Sequence, residues 1–289
     1  MTQKAVVNAL EAHLGMTGAP CQITDAIERI LLQNGFSAAS AAEKTHQIRQ
    51  KIVLEIVRRR ETREGMGELA VLHLKGQNNE IICGSSFVLE TDSEAIRQSK
   101  LNRLTAGTIY SHIRGLSFQQ FETFGRSVLR ELGCQTAKVT AHAGDQGIDF
   151  YGELSVGGIL GADPAILKLV HETRFVLVGQ AKHYPQNAVG PATVRELVGA
   201  LSLSRTYTFS SDDIDLLDDV HLRPFSPVMA LLFSTGEFTK GARHLAKKAG
   251  LIAFSGWQLA VLLADKGVGI VNGEPKPTFD PATFNEWLA

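Results

Sequence analysis

The chain has 289 residues, a length that suits two domains or one large domain. Its composition, 44% hydrophobic and 20% charged, is that of a globular protein with enough apolar residues to form cores. The formal net charge is −1 and the pI is about 6.8, so no global positive field attracts polyanions. Any binding to nucleic acid must therefore depend on local basic surfaces.

Cysteine usage and the length of the apolar runs favour a cytoplasmic protein. The three cysteines have no zinc-site spacing, and their odd number argues against a disulfide framework. The N-terminal sequence MTQKAVVNALEAHLG has no uninterrupted apolar core of the kind found in signal peptides. The longest apolar runs, such as VMALLF at 228–233, are too short to cross a bilayer. We therefore expect no membrane partner.

Residues 1–90 predict three helices followed by a β-hairpin. Thr24 is a candidate N-cap for the second helix, and Ser40 with Glu43 has the capping-box pattern for the third. The segments ELAVLHLK and EIICGSSFVLE predict two strands separated by GQNN. This order is typical of a winged helix, so we predict a winged-helix-like DNA-binding domain.

The third predicted helix carries many basic side chains. In a winged helix it would lie along DNA, and its candidate contacts are Lys44, Arg49, Lys51, Arg58 and Arg59. The alternative is a solvated helix face, because glutamates alternate with these residues. Over 1–115 the chain has 14 Lys and Arg against 12 Asp and Glu, a weak bias toward positive charge.

Residues 116–289 predict an α/β domain with a mixed sheet flanked by helices. A helix begins after Ser117, which forms a capping-box pattern with Gln120, and another begins at Pro191. Apolar strands and further helices alternate between and after them. The more polar segment 91–115 has no clear periodicity and is predicted to link the two domains.

Polar residues interrupt two predicted strands, in GDQGIDFYGEL at 144–154 and FVLVGQAKHY at 175–184. Gln180 and Lys182 share one strand face, and a buried lysine is costly without an anionic partner. Asp149 is a candidate partner, although a purely structural Asp–Lys pair would explain the same pattern. Glu122 lies at the edge of a helical apolar stripe, either as a border residue or as a carboxylate aimed into a cleft.

The combination of a helix glutamate, G-D-x-G-I-D, Q-A-K and a following VRELVGAL helix resembles the nuclease domain of Mrr-type restriction endonucleases. These enzymes belong to the PD-(D/E)XK superfamily. The resemblance extends from about Phe118 to Leu263, because the later strand, helix, strand and helix also look like that family's closing elements. The first part is similar to the winged-helix region that such proteins often carry.

The resemblance implies a catalytic set of Glu122, Asp149, Gln180 and Lys182. It also implies Mg²⁺, for which Mn²⁺ would substitute, held by Asp149 and the Gln180 amide oxygen with support from Glu122. Lys182 would orient or deprotonate the attacking water, or stabilise charge in the transition state. Asp145 is interpreted first as a turn residue and only second as a ligand.

Two segments depart from the family pattern. Residues 155–174 replace an expected short hairpin, and residues 210–220 contain five aspartates. The acidic segment is either a solvated loop, or a flap that competes with DNA, or an interface with another subunit.

The leading hypothesis is a Mg²⁺-dependent endonuclease of restriction or defence type. It would cut double-stranded DNA as a homodimer, with methylated DNA as one candidate substrate. Two further hypotheses stay open. One is a DNA-binding or sensor protein that uses the nuclease fold only for recognition. The other is an RNA nuclease or junction resolvase on the same fold.

Overall fold

The computed structural model describes residues 1–66, 68–140, 147–155, 174–205, 227–273 and 276–289. The chain divides into two compact units, Met1–Arg103 and Leu104–Ala289. The segments 155–174 and 210–220, which depart from the family pattern, lie outside the described residues apart from the strand ends at 155 and 174.

The first unit contains the three predicted helices and the predicted hairpin, together with one short strand and one further helix. Its strands are antiparallel and lie in the order β1-β3-β2. The elements are α1 Gln3–Leu14, β1 Cys21–Gln22, α2 Ile23–Gln33, α3 Ala38–Glu64, β2 Leu72–Lys75, β3 Ile81–Gly84 and α4 Glu94–Asn102.

Helices α2 and α3 begin earlier than their predicted caps. Gln22 occupies the N-cap of α2, and Thr24 lies inside the first turn. Helix α3 begins after Ser37, whose hydroxyl accepts from the backbone N–H of Ser40. The predicted caps Thr24 and Ser40 were therefore wrong. For α3, the serine three residues before Ser40 is Ser37, which offers the same capping geometry one turn earlier.

The second unit is built around a five-stranded mixed sheet in the order β4-β5-β6-β7-β8. Strands β4, β5 and β6 are antiparallel, whereas β6, β7 and β8 are parallel. A 3₁₀ turn, Arg103–Thr105, precedes it. The elements are α5 Ala106–Gly115, α6 Phe118–Glu131, β4 Cys134–Val139, β5 Phe150–Ser155, β6 Arg174–Lys182, α7 Pro191–Arg205, β7 Val228–Ser234, α8 Lys240–Ala249, β8 Ile252–Phe254, α9 Gly256–Lys266, β9 Ile270–Val271, β10 Thr278–Phe279 and α10 Pro281–Leu288.

Helices cover both faces of this sheet. One core joins the sheet to α5, α6, α9 and α10, and the other joins it to α7 and α8. The mixed sheet flanked by helices confirms the predicted fold class. The capping box of Ser117 and Gln120 at the start of α6 is also present, as is the helix start at Pro191.

The segment predicted as a linker, 91–115, is mostly helical, and the boundary between the two units lies within it. Helix α5 belongs to the second unit, where Ile109 and Ile113 are fully buried against α9. These two residues are four apart, which forms only one short apolar stripe. In so short a helix, two apolar residues among polar ones do not produce a recognisable helical periodicity in the sequence.

In the part of the chain that the structure describes, no helix has the length and apolar character needed to cross a membrane. The three cysteines, Cys21, Cys83 and Cys134, are free thiols in the structure.

Candidate active site

Backbone pairing brings two of the predicted site residues together. Phe150 of β5 pairs with Gly179 of β6, and the N–H of Asp149 donates to the carbonyl of Gly179 at 2.9 Å. Asp149 Oδ2 in turn accepts from the backbone N–H of Ala181 at 2.7 Å. Asp149 is therefore held beside the strand end that carries Gln180.

Gln180 and Lys182 continue the face of β6 on which Val176 and Val178 are buried against α7. Gln180 is 2% exposed, so its amide lies inside the protein. The Lys182 side chain, in contrast, is 19% exposed and ends at the edge of the sheet. The strand thus buries a polar amide and places an ammonium group at the rim of the same site.

Glu122 comes from α6, on the opposite side of the sheet. Gly125, one turn later on α6, and Gly179 of β6 both lie against the ring of Phe150, where a Cβ on either glycine would overlap the ring. The two glycines let α6 and β6 approach that fully buried ring closely. Glu122 is only 6% exposed, which favours the inward of its two predicted orientations.

Two buried side-chain oxygens of the site lack a hydrogen-bond partner. They are Oε1 of Glu122 and Oε1 of Gln180, judged against the described residues. Leaving a buried acceptor unpaired costs about 1–3 kcal/mol, so such atoms call for an explanation. Both are hard oxygen donors of the kind that Mg²⁺ prefers.

Burial dominates the ionisation of the two carboxyls. It raises the pKa of Glu122, and the neighbouring charge of Asp149 raises it further. Burial also raises the pKa of Asp149, although the Ala181 N–H and the charge of Lys182 act in the opposite direction. Burial thus disfavours the ionised form of both carboxyl groups. A bound cation would stabilise their ionised forms.

These donors fit a divalent metal in chemistry, since they comprise two carboxylates and one amide oxygen. Within the described ranges, no group of three or more His, Cys, Asp or Glu side chains is arranged to hold a metal ion. Asp145 and the adjacent Gly144 lie outside those ranges. Gly147 lies within them and has a φ of +67°, a conformation that favours glycine. A Cβ there would lie 3.3 Å from Gln180 Nε2.

One further charged residue joins the site. Lys182 Nζ donates to Oε1 of Glu196 on α7 at 3.3 Å. The charge of Glu196 also contributes to the raised pKa of Asp149. Glu196 was not a predicted site residue. It lies within the VRELVGAL helix of the family pattern, but on the exposed flank of that helix, where a glutamate by itself indicates only a solvated side chain.

The two residues after Lys182 differ in exposure. The His183 ring packs edge-on against Phe121, with centroids 6.2 Å apart, whereas Tyr184 is exposed. One residue is therefore used in packing and the other reaches the surface, as predicted, although both lie beyond the end of β6 at Lys182.

The predicted DNA contacts on α3 fall into three groups. Arg58 and Arg59 pair with Glu55, and Arg59 also pairs with Glu11 of α1. Arg49 donates to the backbone carbonyl of Asn78 in the β2–β3 turn. Lys44 and Lys51 line a surface cavity beside the start of α1.

The family described as restriction endonuclease, Mrr_cat, matches residues 113–209. The matched range contains all four predicted catalytic residues and Glu196. The chain carries a restriction endonuclease domain of the Mrr type. This confirms the resemblance inferred from the sequence motifs. No curated protein matches the chain.

Solved restriction endonucleases are also similar to this chain. MspJI in complex with a 27-mer oligonucleotide matches at 20% identity and a TM-score of 0.35, over 63% of this chain and 36% of its own. AspBHI, described as DNA modification-dependent, matches at 16% identity and a TM-score of 0.38, over 72% and 44%. FokI bound to DNA matches at 11% identity and a TM-score of 0.33, over 92% and 44%. The chain spans less than half the length of each.

Proposed function

We propose that the protein is a Mg²⁺-dependent endonuclease of restriction type that hydrolyses phosphodiester bonds in double-stranded DNA. The observation that carries this proposal is the pair of unpaired buried oxygens, Glu122 Oε1 and Gln180 Oε1, inside a domain of the Mrr type. The two oxygens and the Asp149 carboxylate together supply the donors that a hard cation requires.

Asp149, Gln180 and Glu122 would hold the cation, and Mn²⁺ would substitute for Mg²⁺. When bound, the cation would polarise the scissile phosphate and lower the pKa of a water molecule. Gln180 is neutral where the superfamily more often has an acid, so the affinity for the metal should be weaker.

Lys182 acts on the attacking water. Its ammonium group lies at the rim of the site, where it orients the water or neutralises charge that develops on the phosphate. The Ala181 N–H holds one oxygen of Asp149, which fixes that carboxylate beside the end of β6. The buried Glu122 supports the site from the α6 side.

The first unit would deliver DNA to this site as a winged-helix-like domain. Its element order and its antiparallel β1-β3-β2 sheet support this proposal, with α3 as the helix that follows DNA. The resemblance to Mrr-type enzymes further suggests methylated DNA as the substrate, homodimerisation to cut both strands, and a defence role in the cytoplasm.

The test is nicking of supercoiled plasmid by the purified full chain, with matched methylated and unmethylated plasmids. We expect cleavage only with Mg²⁺ or Mn²⁺, and its loss in Asp149→Ala and Lys182→Ala. Cleavage by these variants at the parent's rate would refute the site. Binding without cleavage would favour a recognition protein, and cleavage restricted to RNA or to four-way junctions would favour an RNA nuclease or a junction resolvase. Sedimentation analysis would test the homodimer.

A further inference from the structure

The basic side chains of α3 differ in what they contact along the helix. Near its C-terminal end, each arginine lies close to a glutamate. The pairs are Arg58–Glu55 at 2.8 Å, Arg59–Glu55 at 3.1 Å, Arg59–Glu11 at 3.0 Å, Arg60–Glu64 at 3.7 Å and Arg63–Glu11 at 3.6 Å. Neighbouring carboxylates therefore neutralise this end of the helix.

The N-terminal half of α3 has a different surface. Lys44 and Lys51 lie seven residues apart, so they point from the same side of the helix, about 10 Å apart along its axis. Lys4, at the start of α1, lines the same surface cavity of about 530 Å³. Within the described residues, none of these three lysines forms an ion pair with a carboxylate.

The acid nearest in sequence, Glu43, forms no ion pair with Lys44 among the described residues. Glu43, beside Lys44, accepts a hydrogen bond from Gln47 at 3.2 Å. The cavity is otherwise lined by neutral residues, namely Met1, Thr2, Gln3, Gln47 and Ile48. Three ammonium groups around one depression that no acidic side chain lines form a local positive field, although the chain's net charge is −1.

We propose that this lysine face, formed by Lys4, Lys44 and Lys51, is the surface of the first unit that contacts the phosphates of duplex DNA. The arginines at the other end of α3 pair with glutamates of α3 itself or, for Arg59 and Arg63, with Glu11 of α1, and they make no phosphate contact. This assignment rests on the proposed function, since it takes DNA as the partner. It adds Lys4 to the predicted contacts and removes Arg58 and Arg59 from them.

The test compares two triple variants of the full chain with equal loss of charge. Lys4→Gln/Lys44→Gln/Lys51→Gln removes the lysine face, and Arg58→Gln/Arg60→Gln/Arg63→Gln is the matched control. Binding to a fluorescent duplex is measured by anisotropy at several salt concentrations, in EDTA so that no cleavage occurs. Each lost phosphate contact lowers the slope of log K against log salt by about 0.9, so the lysine variant should lose about three units of slope.

An unchanged slope in the lysine variant, or a larger loss in the arginine variant, would overturn the proposal. A parent that binds no duplex at low salt would also overturn it. Cleavage is tested separately with Asp149→Ala and Mg²⁺. The binding experiment can therefore contradict the lysine face while the cleavage experiment supports the nuclease site. The opposite combination of results can be distinguished in the same way.

A second inference comes from the ion pair between Lys182 and Glu196 in the nuclease unit. Val194 and Leu197 are fully buried, which fixes the rotation of α7 and aims Glu196 at the end of β6. Glu196 is 54% exposed but lies near both Lys182 and Asp149. Without this acceptor, the lysine at the strand end would be free to extend into solvent.

We infer that Glu196 is a positioning residue that holds the Lys182 ammonium group at the reacting phosphate. This inference also rests on the proposed function. Glu196→Ala should lower kcat about 10- to 100-fold, because a small displacement of a catalytic group is costly, and leave KM for DNA unchanged or lower. Glu196→Gln keeps an acceptor oxygen and should recover most of kcat.

The matched control is Glu237→Ala, which removes a similarly exposed carboxylate paired with Arg243 at 2.6 Å. It should cut at the parent's rate. Unchanged kcat in Glu196→Ala, or a Glu196→Gln variant as slow as Glu196→Ala, would overturn the assignment. Failure of the nuclease proposal would appear differently, as unimpaired cleavage by Lys182→Ala itself.

Discussion

Asp149 Oδ2 accepts a hydrogen bond from the backbone N–H of Ala181 at 2.7 Å. Ala181 is the residue between Gln180 and Lys182. This bond therefore connects Asp149 to the strand that carries the other two candidates, Gln180 and Lys182. The bond thus has a structural role, which can be separated from any role of the carboxylate in metal binding.

Two substitutions at Asp149 make that separation. Asp149→Asn keeps an oxygen that can accept from Ala181, whereas Asp149→Ala leaves that N–H without an acceptor, at a cost of about 1–3 kcal/mol. We expect both variants to lose cleavage, but only the alanine variant to unfold at clearly lower denaturant concentration than the asparagine variant. Equal stability of the two would contradict the structural role of the bond.

The convergence at this site was predictable because strand pairing follows simple rules. Side-chain alternation places Gln180 and Lys182 on one face, and antiparallel pairing of β5 with β6 brings Asp149 to the same edge. Glu196 was not predictable in this way. Its contact with Lys182 depends on how α7 is rotated against the sheet, and a single glutamate does not reveal that rotation.

Without bound metal, the buried carboxyl of Glu122 should make the free energy of unfolding fall as pH rises. Burial raises the pKa of Glu122 above its usual value of 4.5. Such a group binds more protons in the folded state than in the unfolded state, so the free energy of unfolding falls as pH rises from 4.5 through the raised pKa. In EDTA at pH 7 to 8, Glu122→Gln should therefore be more stable than the parent.

Divalent cation should reverse that order. A cation that binds only the folded site raises the Tm of the parent by an amount that grows with cation concentration over Kd, and the glutamine variant should gain less. The measurement is thermal unfolding across pH 5–8, with EDTA and then with Mg²⁺ or Mn²⁺. A glutamine variant with lower stability than the parent in EDTA, or with the same gain on adding Mg²⁺, would contradict the assignment of Glu122.

Phe150 sets the distance between α6 and the sheet. Since a Cβ at Gly125 or Gly179 would overlap its ring, Gly125→Ala and Gly179→Ala should each cost about 1–3 kcal/mol through overpacking. Both should also slow cleavage, because Gly125 lies one turn from Glu122 and Gly179 adjoins Gln180. Chemical denaturation and plasmid nicking measure the two effects.

The control for the Phe150 contacts is Gly107→Ala in α5, where an added Cβ meets nothing within 4 Å. It should leave stability unchanged or slightly raised, because alanine favours a helix. If Gly125→Ala behaved like this control, close packing on Phe150 could not be what positions α6.

The sequence predicted the basic character of α3, but it did not predict which partner each basic side chain contacts. Arg59 pairs with Glu11, 48 residues earlier, and this contact forms only when α1 packs on α3. A count of lysines and arginines treats all of them alike. Tertiary packing divides them into those that pair with carboxylates and those that, among the described residues, form no ion pair with one.

Arg59 should therefore matter for stability. Its side chain is 19% exposed, pairs with Glu55 and Glu11, and donates to the carbonyl of Lys4 at 3.4 Å. Arg59→Ala should lower the free energy of unfolding by about 1 kcal/mol, whereas Arg58→Ala, whose partner lies on the same helix, should have a smaller effect. Urea unfolding of both variants measures the difference.

The same ion pairs predict a dependence on acid. Hydrogen bonds from Arg58 and Arg59 lower the pKa of Glu55 to about 2. A depressed pKa contributes stability that is present above the usual value of 4.5 and is lost as pH falls toward 2. Glu55→Gln should therefore be less stable than the parent at pH 6, and the gap should close by about pH 2. A gap that stays constant across this range would show that the glutamate contributes by packing and not by its charge.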